Sequence, residues 1–216
     1  MKFAVILSGC GVFDGTEIGE AICALLAIEE EGVSWEALAP DRQSAKHVDH
    51  LTQANASEKR HVLQESARIV RGEIKDIATA TVDDYDAVII PGGFGAMQNL
   101  CDFAQADMDY TVFPEVERFL SQAVAKQLPM GFICIAPMLI PRLYQGATFT
   151  IGNDADLAVK IQQLGCVHKD CLADDIVIDP VHKIVSTPAR MLAENLVDLK
   201  AGITKLVQSV VMLARE

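Results

Sequence analysis

The chain has no C-x-x-C pair among its six cysteines, which stand at 10, 23, 101, 134, 166 and 171. That absence excludes a zinc ribbon and a thioredoxin-type redox pair. Most of these thiols lie in apolar or glycine-rich company, the pattern of reduced cytosolic cysteines rather than of a disulfide framework. Positive charge is scarce as well. Eighteen Lys and Arg against 30 Asp and Glu leave a formal net charge of −12 over 216 residues. Phosphate contacts need clustered cations, so a nucleic-acid binder is excluded, as is docking on an anionic membrane surface. No apolar run approaches the roughly 18 residues of a membrane span. One N-terminal string, ILSGC (6–10), imitates a lipoprotein cleavage box, but the apolar run before it covers only Phe3 to Leu7. A secretory signal needs roughly 7–15 apolar residues there. A cytoplasmic protein is expected. Internal repeats and low-complexity segments are also missing.

What the chain does have is alternation. KFAVILSG (2–9), DAVIIPGG (86–93) and PMGFI (129–133) are continuous apolar runs, the signature of strands buried on both faces. VSWEALAP (33–40), ATFTIG (147–152), DIVID (175–179) and KIVST (183–187) read as further strands. Between them lie helical patterns at 17–32, 113–127, 155–165 and from about 190 onward, and APMLIPRL (136–143) starts another. Repeated strand–helix alternation implies one α/β domain over 1–216, a mainly parallel sheet with helices on both faces. Residues 41–81 are more polar and hold three of the five histidines, His47, His50 and His61. They read as an excursion, with a helix over 57–72 capped by Ser57.

In such sheets the ligand site lies beyond the C-terminal strand edges. Three unusual stretches fall there: SGCGVFDGTE (8–17), PGGFGA (91–96) and CIAP (134–137). Cys134 at a strand-to-helix turn faces free backbone N–H groups and a helix dipole, which lower a thiol pKa and favour a nucleophilic thiolate. Between Ile133 and Ile135 it equally reads as a buried core thiol. Consecutive Gly92 and Gly93 let backbone N–H groups point into the crevice, and with the N–H of Ile135 they form a candidate oxyanion hole. Glu17 and Glu20 share one face of the first helix, so one carboxyl approaches Cys134. A carboxyl beside a thiolate has a raised pKa and can hold or shuttle a proton. Cys10 and Glu17 are second choices near this site. GCGVFDG (9–15) approximates a dinucleotide fingerprint, but no acidic residue closes the second strand, where WEALAPDR offers Asp41 only past a proline. Asp174 and Asp175 read as a solvated loop. His168 and His182 lie near later strand starts, and none of the five histidines falls in a site loop.

These residues together resemble the PfpI-type superfamily, related to class I glutamine amidotransferase domains. VILSGCGVFDGTEIGEA (5–21), DAVIIPGGFGA (86–96), GFICIAP (131–137) and IVSTPARM (184–191) bear the resemblance. With ARIVRGEI (67–74) and TIGNDAD (150–156), the chain resembles specifically the ElbB group, called enhancing-lycopene-biosynthesis or isoprenoid-biosynthesis proteins and described as glyoxalase-like. The resemblance implies a flavodoxin-like three-layer sandwich with Cys134 on a nucleophile elbow. It implies that Glu20 hydrogen-bonds the thiol and that backbone groups around Gly93 and Ile135 hold an oxyanion. Two departures matter. STPARM (186–191) lacks the His-x-Glu of glutamine amidotransferases, and TFTIGND (148–154) lacks the histidine that many PfpI-like members place after the strand following the elbow. Glutaminase chemistry is therefore not expected. The expected activity is conversion of a small 2-oxoaldehyde, glyoxal to glycolate, through Cys134 without metal, glutathione or other cofactor. The alternatives are a non-catalytic redox-sensing or binding module built on Cys134, and an accessory role in isoprenoid metabolism. A homodimer is expected by the same resemblance.

Overall fold

Apolar runs that alternate with amphipathic ones leave the chain little choice but to stack strands inside a shell of helices. The computed structural model describes residues 1–216. Along it run β1 (Lys2–Ile6), α1 (Ile18–Glu30), β2 (Ser34–Ala39), α2 (Val62–Ala67), β3 (Ile74–Asp76), β4 (Ala87–Ile90), α3 (Phe103–Ala106) and α4 (Pro114–Ala125). After them come β5 (Met130–Ile133), β6 (Thr148–Phe149), α5 (Ala155–Gln163), β7 (Val167–His168), β8 (Val177–Asp179), β9 (Ile184–Thr187) and α6 (Leu196–Arg215).

Seven strands form one sheet in the order β3-β2-β1-β4-β5-β9-β8. All pairs are parallel except β8 with β9. The helices lie on both sides, which makes the flavodoxin-like α/β sandwich expected from the sequence. Strands β4 and β5 are buried at every residue, which is why they read as unbroken apolar runs, and β9 is as deeply buried although it carries Ser186 and Thr187. Helix α6 lays Leu199, Ile203, Leu206, Val207 and Val210 against the sheet at helical spacing. Gly131 lets it come close: a Cβ there would stand 2.6 Å from both Ile89 Cδ1 and Leu206 Cδ2. The first turn of α6 is closed by Asn195, whose side-chain oxygen accepts from the N–H groups of Val197 and Asp198, each at 2.9 Å. Asn195→Ala is expected to destabilise the protein by about 1 kcal/mol. Thermal unfolding will show the midpoint lowered by roughly 2–4 °C.

The structure departs from the sequence reading in five places. The helix expected over 57–72 is only Val62–Ala67, and its N-cap is His61, with no side-chain cap bond. Bridges from Gln43 to His61 and from Val48 to Asn55 hold the preceding residues extended, so Ser57 caps nothing. The polar excursion also contributes β3, an edge strand of the main sheet that its short polar sequence concealed. The strand expected at 147–152 contracts to β6, which pairs with β7 in a separate two-stranded sheet. Finally, the segment after Cys134 is a 3₁₀ helix, Ala136–Arg142, rather than an α-helix. Pro137 and Pro141 remove two amide donors from it. The α-helix expected from about 190 begins at Leu196, after a separate 3₁₀ turn at Ala189–Met191.

Candidate active site

β5 ends at Ile133, and the next residue, Cys134, takes a left-handed backbone conformation with φ of +63°. Such a conformation costs a non-glycine residue of order 1–3 kcal/mol and persists only where the surroundings enforce it. Here the Cys134 N–H donates to the Thr187 carbonyl at 2.9 Å, tying the turn to the end of β9. The result is a sharp elbow that presents a thiol, 7% exposed, at the C-terminal edge of the sheet.

Glu20 comes to the thiol from the first turn of α1 and is fully buried. Its carboxyl and the Cys134 side chain meet at Gly92, where an added Cβ would stand 2.7 Å from Glu20 Oε2 and 2.5 Å from Cys134 Cβ, so carboxyl and thiol shift each other's titration. Oε2 accepts from the Gly92 N–H at 2.8 Å and Oε1 from the Arg190 N–H at 3.2 Å. Glu17 is the N-cap of the same helix, its Oε2 accepting from the Glu20 N–H at 2.6 Å. The Glu17 N–H in turn donates to the Gly92 carbonyl at 3.0 Å. Loops after β1, β4, β5 and β9 are thereby drawn to one point.

The electrostatics follow from burial. Loss of water, then the nearby Glu17 charge, raise the Glu20 pKa to about 7 against the bonds from Arg190, Cys134 and Gly92. The Cys134 thiol is pushed well above its ordinary value by burial first, then by the Glu20 charge and hydrogen bond. The backbone N–H groups of Gly93 and Ile135 oppose that rise. This corrects the expectation of a thiolate with a lowered pKa. The helix that was to supply the dipole is a short 3₁₀ turn, and desolvation outweighs two amides. At neutral pH the resting pair is a neutral thiol beside a carboxyl that is near its own midpoint.

Gly92 has no room for a side chain, since a Cβ would lie 2.5 Å from Cys134 Cβ, 2.7 Å from Glu20 Oε2 and 2.8 Å from the Ile133 carbonyl. Its N–H is engaged by Glu20 and so faces the carboxyl, not the crevice. Gly92→Ala is expected to destabilise the fold by roughly 1–3 kcal/mol through overpacking. It will also displace the Glu20–Cys134 pair, so the rate of Cys134 alkylation by iodoacetamide will change together with the denaturant midpoint.

Over Cys134 opens a cavity of about 400 Å³, lined by Val12, Gly93, Phe94, Ile135, Leu157 and Met191 together with Asp154 and Arg190. A larger hollow of about 560 Å³ lies beside β2 and β3, around Trp35 and Glu73, and is lined by no cysteine. No histidine lines the Cys134 cavity. His50 instead braces the 9–15 loop: its Nε2 accepts from the Phe13 N–H at 3.3 Å, and its Nδ1 is 3.0 Å from the Val48 carbonyl. Cys10 is not brought to the site but lines a separate small recess with Arg60 and Glu65, where burial raises its pKa. No three His, Cys, Asp or Glu side chains gather as a metal site. Sequence reasoning passed over Arg190 and Asp154. The rule that sites lie beyond C-terminal strand edges, applied to β9 as it was to β1, β4 and β5, would have found Arg190.

The chain matches no family model. It is 38% identical over 224 residues to the human glutamine amidotransferase-like class 1 domain-containing protein 3, mitochondrial, covering 98% of this chain and 83% of that protein. To the rat ES1 protein homolog, mitochondrial, it is 38% identical over 223 residues, covering 98% and 84%. Among solved structures, it is similar to an isoprenoid biosynthesis protein with amidotransferase-like domain from Ehrlichia chaffeensis, with 32% identity, a TM-score of 0.92 and coverage of 98% and 99%. Glyoxalase III from Candida albicans shares the fold at 12% identity and a TM-score of 0.64, covering 99% of this chain and 97% of that one. No helix of the chain is long and apolar enough to cross a membrane.

Proposed function

The chain belongs to the family of ES1 and glutamine amidotransferase-like class 1 domain-containing proteins, with an ElbB-like structural neighbour, and we propose that it is a glyoxalase-type enzyme converting small 2-oxoaldehydes to 2-hydroxy acids through Cys134. The observation that supports this reading most is the Cys134 thiol lining the cavity with the fully buried Glu20 carboxyl beside it, raised to about 7. A general base works best with a pKa near the operating pH.

For glyoxal the steps are as follows. Sulfur attacks one aldehyde carbon as the thiol proton passes to ionised Glu20, and a hemithioacetal forms. The N–H groups of Gly93 and Ile135, which lower the thiol pKa, stabilise the developing negative charge there and on the oxygen beside it. Glu20 passes its first proton to the oxyanion and then takes the proton from the sulfur-bearing carbon. With that proton returned to the neighbouring carbon and the hydroxyl proton passed from the first oxygen to the second, the first carbon is oxidised to a thioester and the second reduced to an alcohol. Water cleaves the thioester, releasing glycolate and restoring the thiol. Glyoxal plus one water equals glycolic acid, so no external oxidant, reductant or glutathione enters the balance. The test is glycolate formation from glyoxal by the purified protein and by Cys134→Ala, and equal rates would end the reading. A redox-sensing role fits the site less well, because sensor thiols are low in pKa and exposed, and this one is neither. Six free thiols suit a reducing compartment, the cytoplasm or the interior of the organelle that the mammalian relatives' names specify.

A further inference from the structure

The cavity above Cys134 is large for glyoxal. At about 30 Å³ for each water-sized group, about 400 Å³ holds on the order of a dozen such groups, whereas glyoxal has four heavy atoms. Its walls are mainly apolar, with Val12, Phe94, Leu157 and Met191 around it. One cationic residue, Arg190, lines this space. Arg190 is fixed by its backbone, because its N–H donates to Glu20 Oε1 and the preceding Ala189 is held at a φ of +46°. Its guanidinium makes a single long contact, Nη1 to the Ala193 carbonyl at 3.4 Å, and pairs with no carboxylate. Three of the seven other arginines pair with carboxylates, Arg42 with Glu115, Arg60 with Glu58 and Glu65, and Arg68 with Glu65, and two more, Arg118 and Arg142, are held on backbone carbonyls. The carboxylate that shares the cavity, Asp154, lies at the exposed rim and caps α5 by accepting from the Leu157 N–H at 2.9 Å. A guanidinium fork without a counter-ion, beside apolar walls, matches a planar carboxylate or a phosphate.

We propose that the substrate of this site is an anionic 2-oxoaldehyde: a dicarbonyl head at Cys134, a short apolar spacer, and a carboxylate or phosphate held by Arg190. The reaction rests on the glyoxalase-type reading above, and the anion subsite does not. With a carboxylate tail the balance is unchanged. 4,5-Dioxopentanoate plus water gives 2-hydroxyglutarate, the aldehyde carbon being oxidised and the ketone carbon reduced.

Two experiments separate these claims. In the first, calorimetry measures levulinate and its neutral methyl ester binding to the native protein and to Arg190→Met. Levulinate is expected to bind more tightly than the ester, and Arg190→Met to weaken levulinate at least about tenfold while leaving the ester unchanged. Equal binding of acid and ester, or levulinate binding indifferent to Arg190→Met, overturns the proposal. Should Arg190→Met lose both ligands through misfolding, a salt titration of the native protein decides. Affinity falling with salt for levulinate alone supports the subsite, and parallel behaviour of acid and ester overturns it. In the second, kcat/KM is compared for 4,5-dioxopentanoate, hydroxypyruvaldehyde phosphate and methylglyoxal. Preference for either anion supports the proposal and tells carboxylate from phosphate; preference for neither overturns it while the glyoxalase reading stands. Selective levulinate binding with no turnover of any dicarbonyl removes the reaction and leaves the anion subsite.

Discussion

Cys134→Ala will reduce glycolate formation from glyoxal by on the order of 10³-fold or to background, equivalent to about 4 kcal/mol of transition-state stabilisation. The size follows from the role. Without sulfur there is no hemithioacetal, and a fully buried carboxyl alone has no covalent route to a thioester. The substitution is mild for the fold. Alanine is no worse than cysteine at a φ of +63°, and the Cys134 N–H keeps its bond to Thr187. The thermal midpoint is therefore expected to shift by no more than a few degrees. Cys171→Ala is the matched control. That half-buried thiol lies on the loop after β7, outside the Cys134 cavity, and its loss should leave the rate within about twofold, as surface changes away from a site do. Retention of the rate in Cys134→Ala, or its loss in Cys171→Ala, would contradict the assignment of the nucleophile.

The parts of this site that could be read in advance are those written in short-range pattern. Strands buried on both faces announce themselves as unbroken apolar runs, so β1, β4 and β5 and the loops that follow them were identifiable. The convergence of 8–17, 91–96 and 134–137 followed from topology. The pairing of Glu20 with Cys134 came from helical spacing and from resemblance, and the structure brings the two together. What was not legible depends on long-range competition. The sign of the Cys134 pKa shift turns on whether two amides from Gly93 and Ile135 outweigh desolvation, and composition says nothing about that contest. The segment after Cys134 reads as a helix that begins with Pro137 in its first turn. With Pro141 four residues on, Pro137 instead limits the segment to a 3₁₀ turn and removes the dipole argument. Arg190 escaped because nothing local distinguishes an arginine that will find no carboxylate from one that will.

Glu20→Gln separates the chemical role of the carboxyl from its structural one. The Michaelis step needs ionised Glu20 to receive the thiol proton, so kcat/KM of the native enzyme should rise with pH and level off above an apparent pKa near 7. In Glu20→Gln the plateau is expected to drop by roughly 10²–10⁴-fold, the usual contribution of a positioned acid–base group, and the limb near 7 to disappear. Stability will move in the opposite sense to activity. The folded-state pKa of about 7 stands above the ordinary 4.5, so protonated Glu20 stabilises the fold fully below about pH 4.5, and that contribution is lost as pH rises through 7. Glutamine cannot ionise. The difference in unfolding free energy between native protein and variant should therefore favour the native protein at pH 5 and shrink steadily toward pH 8. The remaining penalty of the variant comes from geometry. Both Gly92 and Arg190 offer N–H donors to the carboxyl, and an amide NH₂ must face one of them, at roughly 1–3 kcal/mol for the donor left unmatched. A variant whose stability difference is flat between pH 5 and 8 would show that Glu20 titrates as an ordinary carboxylate, and the proton-accepting step would then have to be assigned elsewhere.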